Sequence, residues 1–594
     1  MTRAAATALA FTSLGLWIAA APAQAAAARH LAVSPEPGTP DASPTTQVSF
    51  LGAPARSLGR ITVSGSRTGR HSGKLYAYST GQGGSFIPDK PFAPGERVEV
   101  RMAARGALAP VGYRFGVAQP APLQLPAGFP PQPPGPSYHG PQVQSFRSRT
   151  DLHPPALAVL TQGSGTAPGD IFTGPFSIPV PGKPPVPSQK GALISDGRGQ
   201  VVWFHPLPGT DTLADLKVQT FRGQPVLTWW QGQVYPTGFG YGKEILMDNS
   251  YRLLGQVSPG NGYQTDLHDF IVTPQQTAWL IAYTPVATDL RSVKGPARAS
   301  TLDNIVQEVD LPTGLVMWEW HSLGHVPLSD TYAAPVPNVS YDPWHVNSIA
   351  LSGPDVLLSM KNTWGVYLVN QSTGRIRWIL GGRRSTFALT DPEVFAYQHD
   401  ARMRGDGTIS VFDDEAAPQV GPTSRGLVLR LDLTHRTATL AQQYIRPQAT
   451  LAGSQGNVQT LPNGDLFVGW GNQPFVSEFA PGGQLLFDAE FPPPVESYRG
   501  FRFPWSAQPL DSPALAVTGS AGSLTAYASW NGATEVASWQ VLAGPAPGSL
   551  SPAGSAPRTG FETAVPIGRP GPYFAVRALG SSGQVLGTSP TIQH

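Results

Sequence analysis

Residues 156–505 repeat themselves, and that repeat constrains the fold more than any other feature of the 594-residue chain. The recurring unit is a strand, a polar or Gly turn, and a second strand that often carries Trp. It occurs at residues 192–204, 244–254, 306–318 and 366–378, and in weaker form at 427–440 and 476–487. Aligned on Val201, Leu253, Val316, Ile376, Ala438 and Leu485, the copies step by 52, 63, 60, 62 and 47 residues. Between them lie partner hairpins at 217–229, 269–281 and 457–469, and two segments led by His345 and His399. Two hairpins supply the four strands of one blade, and six copies close a ring. The expectation is an all-β fold whose centre, residues 156–507, is a six-bladed β-propeller; a parallel β-helix or a stack of sandwiches is the structural alternative.

The flanks read differently. Residues 26–118 alternate as short strands separated by Gly and Pro turns, which predicts an N-terminal β-sandwich. Residues 119–155 include Pro130, Pro131, Pro133 and Pro134, and are expected to form an extended, semi-rigid linker. Residues 508–594 carry strand patterns around Tyr527, Trp530, Trp539 and Phe574, expected to form a fibronectin type III-like sandwich. The abundance of Gly (66) and Pro (63) suits this many-turned, all-β reading.

Charge excludes one class of partner. Charged residues are 13% of the chain and the net charge is +2, so no field is available to hold a polyanion, and nucleic-acid binding is not expected. Residues 1–25 have a basic start, an apolar centre and an Ala-Gln-Ala end at Ala25, the pattern of a secretory leader. Its apolar run is short for a membrane span, and no later segment is long and apolar enough to be one. Cysteine is absent, which removes disulfides and thiolate metal sites. The expectation is an exported protein with no stable membrane span; its oligomeric state is not legible.

Three partner hairpins begin at a histidine. From His345 the second strand ends fourteen residues on at Ser359; the same offset leads from His399 to Asp413 and from His268 to Ala282. Equivalent positions of different blades share one height and radius, so His268, His345 and His399 are expected to converge at the mouth of one funnel. Asp215 and Gly456 hold about this position in two other blades, which is expected to leave room for a ligand. Such a trio admits three chemistries. Each imidazole caps its own blade; or the three hold zinc with an open fourth position; or one neutral imidazole attacks a substrate while other groups steady the developing negative charge. Asp269 and Asp400 follow two of the histidines, but neither is clearly placed as a fourth ligand.

Several segments resemble bacterial arylsulfotransferases: Asp342-Pro-Trp-His-Val-Asn-Ser-Ile349, Leu358-Ser-Met-Lys-Asn-Thr-Trp364, Trp378-Ile-Leu-Gly-Gly382, Phe395-Ala-Tyr-Gln-His-Asp-Ala-Arg402, Pro225-Val-Leu-Thr-Trp-Trp-Gln-Gly232 and Tyr498-Arg-Gly-Phe-Arg-Phe-Pro-Trp505. The resemblance covers most of residues 156–505. It implies a six-bladed propeller that transfers a sulfuryl group from a phenolic sulfate ester to a phenol acceptor, without a nucleotide donor and without a cofactor. Carried over, it makes His399 the nucleophile that forms a sulfohistidine. His268 and His345 would then bind sulfuryl oxygens or exchange protons with the phenol.

The family places Arg where this chain has Lys361. Lys keeps the charge but loses the bidentate fork, which bears on sulfate affinity and substrate class. Asn347 is a further candidate donor, and Arg402 a weaker one, as are Arg383 and Arg384. Trp364 and Tyr397, with Trp229 and Trp230, are candidates for stacking on an aryl ring; packing between blades is their ordinary alternative. Two other functions stay open: a non-catalytic propeller that binds a sulfated or phenolic ligand or a wall polymer, and a His-metal hydrolase.

Overall fold

The computed structural model describes residues 30–129, 136–178, 186–520, 523–568 and 571–594. The leader expected over residues 1–25 and the Pro-rich part of the linker at 130–135 lie outside the described residues. Among the described residues every regular element is a strand apart from four three-residue 3-10 helices. None of them is a helix long and apolar enough to cross a membrane.

The central region is propeller-like, built from antiparallel sheets that mostly follow chain order. Val346–Ser352, Asp355–Met360, Gly365–Asn370 and Ile376–Gly381 form one. His399–Met403, Thr408–Asp413, Arg425–Asp432 and Thr437–Tyr444 form the next. Asn457–Thr460, Leu466–Gly469, Phe475–Phe479 and Leu485–Glu490 form another, with Ala158–Gln162 added beyond Leu485–Glu490. The strands between Thr212 and His321 make two such units, joined by the single pair Gly242–Thr265.

The remaining sheet is assembled from both ends of the region. Val201–Pro206, Gly191–Ser195 and Asp170–Ser177 take Val495–Phe503 as their fourth strand, in the register Ile171↔Arg502 and Phe172↔Phe501. The repeat at 192–204 showed no contiguous partner hairpin because its partner is split between these two strands.

Strands such as Asp355–Met360 are apolar without alternation because neighbouring sheets cover both faces. Trp279, Trp318, Trp320 and Trp344 fill one of the spaces between sheets. An indole of this size buries roughly 200 Å², or about 5 kcal/mol of transfer free energy. Polar ends are satisfied as they enter the core: Trp344 Nε1 donates to Val326 O at 3.0 Å and Trp320 Nε1 to Gly374 O at 3.0 Å.

The flanks are sheets packed on cores of their own. At the N-terminal side two four-stranded sheets enclose Val48, Phe50, Val63, Val98 and Phe115, and Arg97–Met102 alternates buried and exposed as the sequence predicts. At the C-terminal side a three-stranded and a five-stranded sheet enclose Trp530, Trp539, Phe574 and Val576. Both dock on the centre. Ser49 Oγ donates to Val316 O at 2.6 Å, and Asn531 exchanges two hydrogen bonds with the Phe204 backbone, each 2.9 Å. The described part of the linker is not a free spacer: Leu123 and Leu125 pack against the Trp-rich core, and Gln124 N donates to Ser340 Oγ at 2.9 Å.

Candidate active site

A cavity of about 880 Å³ opens where the first strands of the central sheets meet, and His268, His345, His399 and Lys361 all line it. His268 and His345 stand edge to face, ring centres 4.8 Å apart, with Tyr283 stacked behind His268 at 5.6 Å. The rest of the wall is largely apolar or neutral: Phe129, Phe176, Leu213, Tyr235, Leu267 and Tyr498 contribute to it.

The backbone is bent to aim these groups. Pairing is interrupted at residues 214–217, 265–270, 346–348 and 399–402, one bulge in each of four first strands. Bulges turn side chains out of register and recur beside active sites. His345, Asp400 and Asp215 hold the left-handed region at φ 59°, 55° and 60°, conformations that cost a non-glycine residue about 1 kcal/mol or more.

Each histidine leans on a carboxylate through Nδ1. His399 Nδ1 lies 2.8 Å from Asp414 Oδ2, His345 pairs with Asp342, and His268 with Asp266. His399 Nε2 accepts the Gln455 N–H at 3.2 Å. A neutral imidazole carries one N–H, so that proton sits on Nδ1 and the Nε2 lone pair faces the cavity. Burial pushes His399 well below the ordinary imidazole value, and the Lys361 charge adds the largest push of the neighbouring groups. Burial likewise lowers His345 to about 4, against the pull of Asp342. Lys361 is itself lowered by burial, partly restored by Asp414 and Asp342. Burial drives the Asp414 carboxyl up, and Lys361 opposes it.

Beneath the histidines lies a buried ionic layer. Arg499 Nη1 reaches Asp215 Oδ1 at 2.9 Å and Asp269 Oδ1 at 3.3 Å; Lys217 Nζ reaches Asp215 at 2.6 Å and Asp269 at 3.0 Å. Arg402 Nη2 closes the set with Asp400 at 2.6 Å and Asp269 at 2.8 Å. Three carboxylates thus meet three cations, the condition under which such a layer is tolerated away from water.

That layer revises several sequence assignments. Arg402 faces Asp269 and Asp400, not the cavity. Asn347 is fully buried, its Nδ2 donates to Gln398 O at 2.8 Å, and it does not line the cavity. Trp364 and Tyr397 also lie off the cavity wall: Trp364 stacks on Tyr332 at 3.7 Å and meets Tyr397 edge-on at 5.1 Å. Arg383 covers the outer face of Tyr332 at 4.3 Å, and Arg384 points to Asp330 at 3.7 Å. Trp230 is core, its Nε1 bonded to Thr265 O at 3.1 Å, and Trp229 packs on Trp203. The room expected at Gly456 (φ 94°) is taken by Phe412, whose ring would stand 2.5 Å from an added Cβ.

The sequence reading missed Tyr498 as a site residue. It lines the cavity, is buried, and its hydroxyl has no hydrogen-bond partner among the described residues. Burial holds that phenol far above its usual value, so it is a protonated donor. The signal was present, since Tyr498 opens one of the segments carrying the family resemblance. Missing was the knowledge that its strand is the first strand of a sheet. Asp266, Asp342 and Asp414 were missed too: Asp266 and Asp342 reach their imidazoles from two and three residues before them, a local spacing that went unread, while Asp414 meets His399 across fifteen residues of chain.

The chain resembles known proteins in two ways. Residues 217–492 match the family model Arylsulfotransferase (ASST). No curated protein matches. Among solved structures, a protein of unknown function from Bacteroides caccae is 11% identical, the alignment covering 57% of this chain and 100% of that one, with a TM-score of 0.35. Streptogramin B lyase is 12% identical over 64% of this chain and 91% of its own, TM-score 0.26. Apo AztD from Citrobacter koseri is 11% identical over 56% and 97%, TM-score 0.28. Likeness at this level carries no argument about chemistry.

Proposed function

We propose, from the match of residues 217–492 to the arylsulfotransferase family model, that the protein moves a sulfuryl group from a phenolic sulfate ester to a phenol acceptor by way of a sulfohistidine. The observation that carries this reading is the convergence of His268, His345, His399 and Lys361 on one cavity, with Nδ1 of each imidazole held by a carboxylate. We read the central sheets as six blades of a ring, with the cavity at its axis.

In the first step the His399 Nε2 lone pair attacks sulfur. The N–S bond forms, the S–O bond to the aryl group breaks, and the electron pair leaves on the phenolate. Positive charge on the sulfated ring is met by Asp414. The Lys361 ammonium, the Tyr498 hydroxyl and the displaced Gln455 N–H face the sulfuryl oxygens, whose charge is spread as in phosphoryl transfer but one unit smaller. In the second step a phenol attacks sulfur and its proton passes to Nε2 of His345 or His268. The N–S pair returns to His399. The apolar wall from Phe129 to Leu267 gives an aryl ring a dry surface and disfavours water as acceptor.

A three-histidine metal site fits less well. Among the described residues, the group of His and carboxylate ligand atoms within 4.8 Å of one another is Asp41, Asp303 and His321, not the cavity trio. The leader pattern at 1–25 supports export of the protein. The direct test is nitrophenol release from 4-nitrophenyl sulfate with and without added phenol. Acceptor-dependent release that His399→Ala abolishes supports transfer; release that ignores the acceptor makes the protein a hydrolase.

A further inference from the structure

Away from the cavity, His321 stands at the end of the strand Leu315–His321, where the N-terminal sandwich meets the propeller-like centre. Its Nδ1 lies 2.7 Å from Asp303 Oδ2 and 3.2 Å from Asp41 Oδ1; its Nε2 lies 3.1 Å from Glu319 Oε1. Asp303 and Glu319 come from the centre and Asp41 from the loop between the first two strands of the sandwich. His321 is 1% and Asp41 4% exposed, and Asp303 is fully buried.

The balance of charge and hydrogen bonds is incomplete. Three carboxylates surround one imidazole, and among the described residues no Lys or Arg pairs with any of them. Glu319 is satisfied: Oε2 accepts from Asn261 Nδ2 and Gln307 Nε2, each at 2.6 Å. Asp303 Oδ1 accepts the Leu323 N–H at 2.8 Å. Among the described residues neither oxygen of Asp41 receives a well-formed hydrogen bond, although both are buried and His321 Nδ1 stands 3.2 Å from Oδ1. A buried carboxylate without a donor is expensive, and a cation is the usual remedy.

We propose that Asp41, Asp303 and His321 bind a divalent cation of the zinc class, which clamps the N-terminal sandwich to the catalytic centre. The ligand atoms lie within 4.8 Å of one another. Neighbouring ligands on a metal at about 2.1 Å stand roughly 3 Å apart, so spacings of 2.7 and 3.2 Å need only small adjustment. One imidazole nitrogen with two carboxylates suits zinc better than calcium or magnesium, which prefer oxygen alone. On binding, Nδ1 gives up its proton to become a ligand, and Nε2–H stays on Glu319. A histidine ligand normally has such a carboxylate on its far nitrogen.

The test uses the full chain expressed with zinc supplied, passed over a chelating resin, and analysed for metal. Asp41→Asn removes one ligand oxygen while keeping shape, and His345→Asn controls for metal held in the cavity. The expected result is about one zinc per chain in the wild type and in His345→Asn, at least tenfold less in Asp41→Asn. The melting temperature should fall on treatment with a strong chelator in the wild type and stay unchanged in Asp41→Asn. A wild type without stoichiometric metal overturns the proposal. So does equal metal in wild type and Asp41→Asn, or zinc lost only in His345→Asn, which would move it to the cavity. None of these results depends on the sulfuryl-transfer reading.

Discussion

His399 and Asp414 are joined at 2.8 Å through Nδ1, and the opposite nitrogen of the same ring accepts the Gln455 N–H. The pair holds the ring proton on Nδ1 and, in the proposed transfer, would give a sulfated ring its counter-charge. Asp414→Ala should therefore lower kcat by about 10- to 100-fold, the size seen when a partner orienting an imidazole is lost. KM for the aryl sulfate should change far less. Steady-state kinetics separate the two, and an unchanged kcat would remove Asp414 from the mechanism.

Lys361 acts on His399 through charge. Replacing it with Met removes the largest neighbouring charge that opposes protonation of His399. The proposed reaction needs neutral His399, so activity should be present above its titration and lost below it. In Lys361→Met the acid limb of the pH–rate profile should move to higher pH, and KM for the sulfate ester should rise. Lys361→Arg, which restores the charge, should return the limb toward its original position.

Tyr498 separates activity from stability. Its hydroxyl bonds to no group among the described residues, so Tyr498→Phe should leave unfolding within about 0.5 kcal/mol of the wild type. If it donates to the sulfuryl group in the transition state, transfer should fall about tenfold or more. Chemical denaturation and turnover measured on one preparation check both halves.

The repeat made the all-β, propeller-like organisation of the centre legible, because recurring apolar runs record strands covered on both faces. Five partner hairpins were also readable. The sixth was not, since Asp170–Ser177 and Val495–Phe503 meet only through the closure of the region. Convergence of His268, His345 and His399 was legible from equivalent positions in equivalent strands, and Lys361 only from the family resemblance. Side-chain direction was not, because the bulges at 346–348 and 399–402 break period-2 alternation there. That is why Asn347 and Arg402, two and three residues after a site histidine, turn into the ionic layer or the sheet. Trp364 and Tyr397 share a similar cause: both have positive φ, which turns each from the strand path toward the other.

The buried histidines set an acid limit on the fold. His345 is lowered to about 4 from 6.5, so its neutral form contributes stability that is complete above about pH 6.5 and lost as pH falls toward 4. A shift of that size corresponds to roughly 3 kcal/mol, and His399 adds to it in the same direction. Denaturation midpoints measured between pH 7 and 4 should fall in the wild type and fall less steeply in His345→Asn.

The ionic layer makes a contrasting pair of substitutions. Asp269→Asn leaves Lys217, Arg402 and Arg499 short of a buried counter-charge and should cost about 3–5 kcal/mol. Asp289→Asn breaks the exposed pair with Arg291, which water and salt screen, and should leave the unfolding midpoint nearly unchanged. Denaturant titration distinguishes them, and equal effects would contradict the assignment of the layer as the support beneath the histidines.

The central claim is the covalent step on one nitrogen. The protein is mixed with an aryl sulfate in the absence of acceptor, quenched at alkaline pH where a sulfated imidazole survives, digested, and mapped by mass spectrometry. The account predicts one sulfuryl group per chain on the peptide containing His399, discharged when phenol is added before the quench. Sulfuryl found on His268 or His345 instead, or acceptor-dependent turnover with no sulfated peptide at any time, would contradict it.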